Sequence, residues 1–159
     1  MTATGISPTD SRHPVIAQHA RTYAATGGHQ GHLWNGAPTL LLTTTGRATG
    51  LPRRTPLIYG RYHDSYLVVA SNAGANDHPD WYLNLLQTPH VTMQVINRII
   101  TARARPATDA ERLTCWAIMT ARWPDYDSYQ SRSSRVIPIV VLEPTTAQHP
   151  AAKPAGGRR

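Results

Sequence analysis

Residues 39–56 read TLLLTTTGRATGLPRRTP, and this stretch decides the fold. Its opening leucines and threonines are strand formers, and their run ends at Gly46. A second glycine, Gly50, and then Pro52 mark a turn before an extended pattern resumes. The stretch therefore predicts two strands joined by a turn rich in glycine and arginine.

Further strand-forming segments follow, interrupted by two helical patterns. Pro79 suits the first position of one helix, and Thr108-x-x-Glu111 is a capping box that starts the other. Hairpin-linked strands with inserted helices predict a mainly β, α+β fold, an antiparallel barrel of about six strands. The expected strands are residues 39–45, 53–62, 66–71, 91–96, 99–105 and 136–142. The second helix is expected to have an apolar face formed by Leu113, Trp116, Ala117, Thr120 and Trp123.

The length, 159 residues, fits one domain with flanking segments. We expect a partly ordered N-terminal arm at residues 1–36, the barrel at 37–144 and a disordered C-terminal tail at 145–159. No apolar run approaches the roughly 20 residues that span a bilayer. The first ten residues lack a secretory signal pattern, and Cys115 is the single cysteine, so we expect a cytoplasmic protein.

The formal charge of +7 comes almost wholly from arginine, since Lys153 is the only lysine. Arginine presents a planar fork of donors that matches phosphate or carboxylate oxygens. A basic chain suits nucleic acid, an anionic membrane surface or a small anionic ligand. No nucleic-acid motif is present, and the basic segment coincides with a compact loop, so we expect no nucleic-acid partner.

The arginine-rich turn is the first candidate binding site. Arg47, Arg53 and Arg54, with the hydroxyls of Thr49 and Thr55, form a dense set of phosphate donors. The turn matches neither the P-loop nor the dinucleotide fingerprint. A solvated basic hairpin is the alternative interpretation.

Two other segments suit a pocket. Residues 70–75, ASNAGA, place small side chains at a strand end, where a flat ring could lie against backbone amides; a plain connection is the alternative. Trp123, Tyr126 and Tyr129 recur every third residue and share a helical face, which suits either a pocket wall or core packing. No catalytic triad, carboxylate pair or metal-ligand spacing is present, so hydrolysis is disfavoured and no metal site is expected.

At these segments the sequence resembles the deazaflavin-dependent nitroreductase family, a branch of the split β-barrel flavin and deazaflavin oxidoreductases. The matching blocks are LLLTTTGRATGLPRRTPL, VVASNAGANDHPDWYLNL and WPDYDSYQSRSSRVIPIVVLEP, and the likeness spans about residues 40–144. The resemblance implies a split β-barrel that binds coenzyme F420.

The resemblance also implies a role for each candidate residue. The anionic tail of the cofactor would be held by Arg47, Thr49, Arg53, Arg54 and Thr55. The deazaflavin ring would lie beside Ser71, Asn72, Ala73 and Gly74, and Trp81 would also bind the cofactor. The substrate pocket would be lined by Trp123, Tyr126 and Tyr129. Ser71, Tyr126 and Tyr129 would be the catalytic residues, and Ser71 and Tyr126 would orient the acceptor or stabilise its developing charge.

The implied function is hydride transfer from F420H2 to an electron-poor small molecule such as a quinone, an activated alkene or a nitro compound. An FMN-dependent reductase on the same barrel is one alternative, and a non-catalytic carrier of a flavin-like or haem-like ligand is another. A homodimer and a peripheral membrane contact both stay open. Arginine in place of lysine and the lack of phenylalanine indicate a GC-rich genome, which suits an actinobacterial source.

Overall fold

The computed structural model describes residues 6–145, so nearly all of the predicted C-terminal tail lies outside the described residues. The helices are α1 (Pro14–Ala25), α2 (Asp80–Gln87), α3 (Asp109–Arg122) and α4 (Asp125–Arg132). The strands are β1 (Leu33–Trp34), β2 (Ala37–Thr45), β3 (Pro52–Ile58), β4 (Gly60–Tyr62), β5 (Ser65–Val69), β6 (His90–Val95), β7 (Arg98–Pro106) and β8 (Ile139–Pro144). A 3-10 turn, Asn72–Gly74, follows β5.

A bent strand links the two edges of the sheet. The strands pair in the order β2-β6-β7-β8-β5-β4, while β3 pairs with the free side of β2. Only Tyr59 separates β3 from β4, so residues 52–62 act as one strand that pairs with β2 at one end and β5 at the other. All strand pairs are antiparallel, and β1 adds two residues beside β2. The predicted barrel of about six strands is confirmed.

The core explains why some strands alternate in polarity and others do not. Along β7, Ile100, Ala102 and Ala104 are buried inside the barrel, whereas Thr101 and Arg103 between them are exposed. In contrast, β5 and β8 are buried on both faces, because their outer side chains pack under α3 and α4. A strand covered on both faces reads as a continuous apolar run.

The start of α3 is the predicted capping box, but its buried face differs from the prediction. The Thr108 hydroxyl accepts a hydrogen bond from the Glu111 N–H, and the Glu111 carboxylate accepts one from the Thr108 N–H. The buried residues are Cys115 and Met119, whereas Leu113 is 84% exposed. The predicted apolar face is therefore correct only in part: Trp116 and Trp123 pack against the same cluster, whereas Leu113 and Ala117 are exposed. Packing on β5 and β8 sets the orientation of the helix. At α2, Pro79 is the N-cap rather than the first helical residue.

Helix α1 is fastened to the barrel through Tyr23. This side chain is fully buried, and its hydroxyl donates to the Thr39 carbonyl (3.0 Å) and accepts from the Ile96 N–H (2.7 Å). Burial raises the pKa of Tyr23 to about 12, so the hydroxyl stays protonated and keeps both bonds. Among the described residues, no helix has the length and apolarity needed to cross a bilayer.

Candidate active site

A cavity of about 810 Å³ lies between β3, the 3-10 turn, the start of α2, α4 and the N-terminal segment, residues 9–12. This volume suits a cofactor together with a small substrate. The cavity brings together most of the predicted site residues. It is lined by Arg53, Arg54, Thr55, Ser71, Asn72, Ala73, Trp81, Trp123, Tyr126 and Tyr129. Arg47, Thr49 and Gly74 do not line it.

One end of the cavity is cationic. Arg54 makes a bidentate ion pair with Asp10, at 2.7 and 2.9 Å, in which both side chains are largely buried. Asp10 is held there because Thr9 forms a parallel bridge with Arg53, with the Thr9 N–H donating to the Pro52 carbonyl at 3.0 Å. The same segment brings Arg12 to the cavity wall. Three arginines therefore line the cavity, and one of them, Arg54, is already paired with a carboxylate.

Arg47 fixes the arginine-rich turn to α2. Its N–H and Nη1 both donate to the Asn84 side-chain carbonyl, at 3.1 and 2.8 Å, and its Nη2 contacts Asp80 at 3.2 Å. Asn84 is buried and is itself anchored by Thr44. Thr49 caps the turn internally, because its hydroxyl accepts from the Leu51 N–H. Tail binding by Arg47 and Thr49 stays a prediction, and the structure gives both residues a role in shaping the turn.

The 3-10 turn has an uncommon backbone. Asn72, Ala73 and Gly74 all have positive φ angles, of 49°, 55° and 86°. At Gly74 an added Cβ would lie 3.1 Å from the Tyr129 Cα, so a glycine is needed for the close approach of α4. The side chains of Ser71, Asn72 and Ala73 are thereby left at the cavity, while Gly74 contacts the helix.

Arg135 holds this turn in place. Its Nε donates to the Ala75 carbonyl at 3.0 Å, and its Nη2 donates to the carbonyls of Ala70 and Ser71 at 3.1 and 3.0 Å. Its Nη1 lies 3.0 Å from Nδ1 of His78, a residue of the cavity lining whose ring packs at a tilt against Tyr82.

The other end of the cavity is aromatic. Tyr126 and Tyr129 pack edge to face with centroids 6.0 Å apart, and Trp123 Nε1 donates to the Tyr129 hydroxyl at 3.4 Å. Tyr126 is only 6% exposed, yet within residues 6–145 its hydroxyl makes no hydrogen bond. Burial, with a smaller contribution from nearby Tyr129, holds the pKa of Tyr126 well above the ordinary 10.0. Its hydroxyl is therefore a protonated donor without a partner in a cavity wall.

Sequence reasoning missed Asp10, Arg12, His78 and Arg135 as site residues. Asp10 is the last acidic residue before a stretch without acids that runs from 11 to 63, which is the only local signal that it pairs with an arginine of that stretch. The parallel bridge that positions it joins residues 44 apart and leaves no short-range pattern.

Comparison with known proteins addresses the family to which the chain belongs. A family model described as F420H(2)-dependent quinone reductase matches residues 15–144. A protein of Mycobacterium tuberculosis strain H37Rv, named F420H(2)-dependent quinone reductase, is 42% identical over 132 residues, which is 80% of this chain and 89% of the relative.

Two solved structures give the same assignment of fold. One, titled as an F420-H2 dependent reductase (FDR-A), is 34% identical with a TM-score of 0.62 and covers 67% of this chain and 94% of its own. Another, titled as a domain-swapped dimer, is 32% identical with a TM-score of 0.65 and covers 79% and 94%.

These matches confirm the predicted split β-barrel and the predicted F420-dependent reduction, and the mycobacterial relatives agree with the expected actinobacterial source. The family model covers most of the chain, including every segment that lines the cavity from α1 onward. The chain therefore belongs to the F420H(2)-dependent quinone reductase family, and it is an oxidoreductase whose cofactor is coenzyme F420.

Proposed function

We propose that this chain reduces quinones in the 810 Å³ cavity, with the anionic tail of F420 at the arginine end and its ring at the aromatic end. The observation that carries the proposal is that one cavity contains both a group of arginines and a buried hydroxyl without a partner. Arg12, Arg53 and Arg54 stand at one end, and the unpartnered hydroxyl of buried Tyr126 stands at the other.

The residues present fit this cofactor. Phosphate and carboxylate groups of the tail match the forked donors of Arg53 and Arg12, and Thr55 adds a hydroxyl on the same strand. We assign Arg54 to the tail as well, in exchange with or alongside Asp10. Arg47 and Thr49 contribute by holding the turn that carries these arginines.

The aromatic end suits a flat conjugated ring. Trp81 and the 3-10 turn form one part of the wall, and Trp123, Tyr126 and Tyr129 form another. The Ser71 hydroxyl, like that of Tyr126, has no hydrogen-bond partner within residues 6–145, although Ser71 is only 9% exposed. Two buried hydroxyl groups are thus free to bind oxygen atoms of a ligand.

Bound F420H2 supplies the hydride, and the protein's own residues bind, orient and exclude water. The Tyr126 hydroxyl donates a hydrogen bond to the acceptor oxygen on which negative charge develops, with Ser71 as the second donor. Because the pKa of Tyr126 is raised, we expect it to act as a neutral donor throughout the neutral pH range. Tyr129 is fixed by Trp123 and completes the pocket wall.

Quinones are the acceptors named by the family and by the mycobacterial relative. They also fit the pocket, since a quinone carbonyl becomes an oxyanion as it is reduced. Activated alkenes and nitro compounds belong to the same electron-poor class. FMN, with its single phosphate, would use fewer of the three arginines, and a carrier protein would bind its ligand without turnover.

Two expectations about partners also stay proposals. A homodimer is supported by the relative titled as a domain-swapped dimer, and sedimentation would test it. Peripheral membrane contact has only the positive charge of the chain in its favour, and co-sedimentation with anionic vesicles would test it.

The test is a titration of the protein with F420 and with FMN, followed by tryptophan fluorescence. Trp34, Trp81 and Trp123 all line the cavity, so a bound chromophore should quench them. We expect F420 to bind more tightly than FMN, and Arg53→Ala to weaken F420 binding at least about tenfold. Arg103→Ala is the matched control, because Arg103 is exposed on the outside of the barrel.

A second variant tests the catalytic role. Tyr126→Phe keeps the ring and removes the hydroxyl, so we expect kcat with a quinone to fall about tenfold or more while F420 affinity is unchanged. Tyr62→Phe, outside the cavity, is the control. Preferred binding of FMN, or binding of neither cofactor, would overturn the proposed function. Unchanged kcat in Tyr126→Phe would remove Tyr126 from the mechanism.

A further inference from the structure

The cavity wall contains one polar side chain to which neither the family match nor the proposed function gives a role. His78 lies between the 3-10 turn and Pro79, the residue that caps α2. His78 lines the cavity together with Ser71 and Trp81, and it is half-buried. Its contact with Arg135 decides what the ring can do.

That contact fixes the tautomer of His78. A guanidinium has only donors, so Nη1 of Arg135 donates across the 3.0 Å contact and Nδ1 of His78 must accept. A neutral imidazole carries a single proton, which therefore lies on Nε2. The charged groups around the ring also favour the neutral form. Burial and Arg135 lower the pKa of His78, and these effects outweigh Asp77, which raises it; the neighbouring Tyr82 ring packs at a tilt.

Arg135 also fixes where the ring stands. The same guanidinium binds the carbonyls of Ala70, Ser71 and Ala75, so His78 and the 3-10 turn are held to one rigid group. Arg135 is thus a positioning residue. It binds both the imidazole of His78 and the backbone carbonyl of Ser71, and it is not part of the cavity lining.

The Nε2–H group has no partner in the protein. Within residues 6–145, His78 makes one hydrogen bond, through Nδ1, and no acceptor lies opposite the other nitrogen. A preorganised donor that has no acceptor in the protein is suited to bind an oxygen atom of a ligand. Ring carbonyls are the acceptors that both the deazaflavin and a quinone present.

We propose that His78, with its tautomer set by Arg135, donates a hydrogen bond from Nε2 to a carbonyl oxygen of a conjugated ring bound in the cavity. The proposal rests on the proposed function for the identity of that ring, and it adds a specificity-determining residue to the site. A ring without a carbonyl at this point would leave the donor unpaired.

Nitrogen-15 NMR of the histidine rings tests the tautomer in the full-length protein without any ligand. The His78 signals are assigned by their loss in His78→Gln. At pH above 7, we expect an unprotonated Nδ1 and a protonated Nε2. A ring protonated on Nδ1 would overturn the proposal, whatever the protein is found to reduce.

Ligand binding tests the donor. In His78→Leu we expect either the F420 dissociation constant or the quinone KM to rise about two- to tenfold, and the constant that changes identifies the carbonyl. His78→Gln, which keeps an N–H donor, should recover most of the loss. His90→Leu is the matched control, because His90 is exposed at the start of β6.

The outcomes separate this proposal from the proposed function. Failure of the wild-type protein to bind F420 would defeat the proposed function, and the NMR measurement would still decide the tautomer. If the wild type binds F420 and folded His78→Leu keeps both constants unchanged, the role of His78 is refuted. Circular dichroism confirms that the variant is folded.

Discussion

Arg54 lines the cavity but is already ion-paired, because both carboxylate oxygens of Asp10 accept hydrogen bonds from its guanidinium. An anionic ligand at this point has to compete with Asp10 or share the guanidinium. Asp10→Asn removes the competing charge while keeping an oxygen acceptor. We expect it to tighten F420 binding about tenfold, since a factor of ten is close to the lower end of what one hydrogen bond to a charged group contributes, about 1.5 kcal/mol.

Fluorescence titration of Asp10→Asn measures this change. Asp64→Asn has the same change of charge in the exposed loop between β4 and β5 and serves as the control. Equal or weaker F420 binding in Asp10→Asn would show that Asp10 supports the ligand site and does not compete with the ligand.

A second prediction at the scale of single residues concerns Gly74. Gly74→Ala places a side chain on a backbone with φ of 86° and brings the new Cβ within 3.1 Å of Tyr129 Cα and 3.2 Å of its carbonyl oxygen. Gly36 has nearly the same φ, 85°, but no atom lies within 4 Å of an added Cβ. Both variants have backbone strain of about 1–3 kcal/mol, and only Gly74→Ala adds crowding against α4.

Urea denaturation distinguishes the two effects. We expect Gly74→Ala to lower the free energy of unfolding more than Gly36→Ala does. Equal losses would mean that α4 moves away from the turn without a penalty.

At the scale of the elements, the first turn of α3 contains a carboxylate whose ionisation affects stability. Glu111 accepts two hydrogen bonds from Arg105, at 2.8 and 3.0 Å, and one from the Thr108 backbone. The Arg105 contact, followed by the Thr108 bond, lowers the pKa of Glu111 from 4.5 to about 2. Because the folded state holds this carboxylate ionised, its contribution to stability is complete above about pH 4.5 and is lost as the pH falls toward 2.

Glu111→Gln removes that titration. We expect the variant to be less stable than the wild type at pH 7 and to lose less further stability between pH 4.5 and pH 2. Urea midpoints measured across this range provide the comparison, with Asp64→Asn as the control. Parallel curves for the variant and the wild type would refute the assignment.

The strands and the start of α3 could be predicted because their signals are local. Each barrel strand has a run of β-forming residues, and the capping box of Thr108 and Glu111 spans only four residues. The face of α3 was predicted only in part, because Leu113 is apolar yet exposed, while Cys115 and Met119 are buried against the sheet. Which residues of a helix are buried depends on how the helix packs, which its own pattern does not fully determine.

The candidate site was predictable in part for the same reason. Arg53, Ser71 and Tyr126 come from separate chain segments, and the barrel brings them to one cavity as the resemblance implies. The role of Arg47 in binding Asn84 has no local signal, since the two residues lie 37 positions apart. His78 gains its significance only through Arg135, which is 57 positions away.

At the scale of the whole molecule, the net charge of +7 attracts an anionic cofactor. Arg53 and Arg12 are accessible from solvent, so salt should screen their attraction for the F420 tail. We expect F420 affinity to fall steadily as ionic strength rises. The dependence should be shallower in Arg53→Ala and unchanged in Arg103→Ala. An affinity that does not respond to salt would place the tail away from these arginines.

Some residues of the cavity wall lie outside the hydrophobic core of the barrel. Ile16, His19 and Trp34 stand in its wall, but none of them belongs to the hydrophobic cluster inside the barrel. Mutations at these three positions can therefore reshape the pocket while the packing of the cluster inside the barrel is left in place. Such a division lets selection change the range of acceptors in small steps while the reductase scaffold is inherited intact.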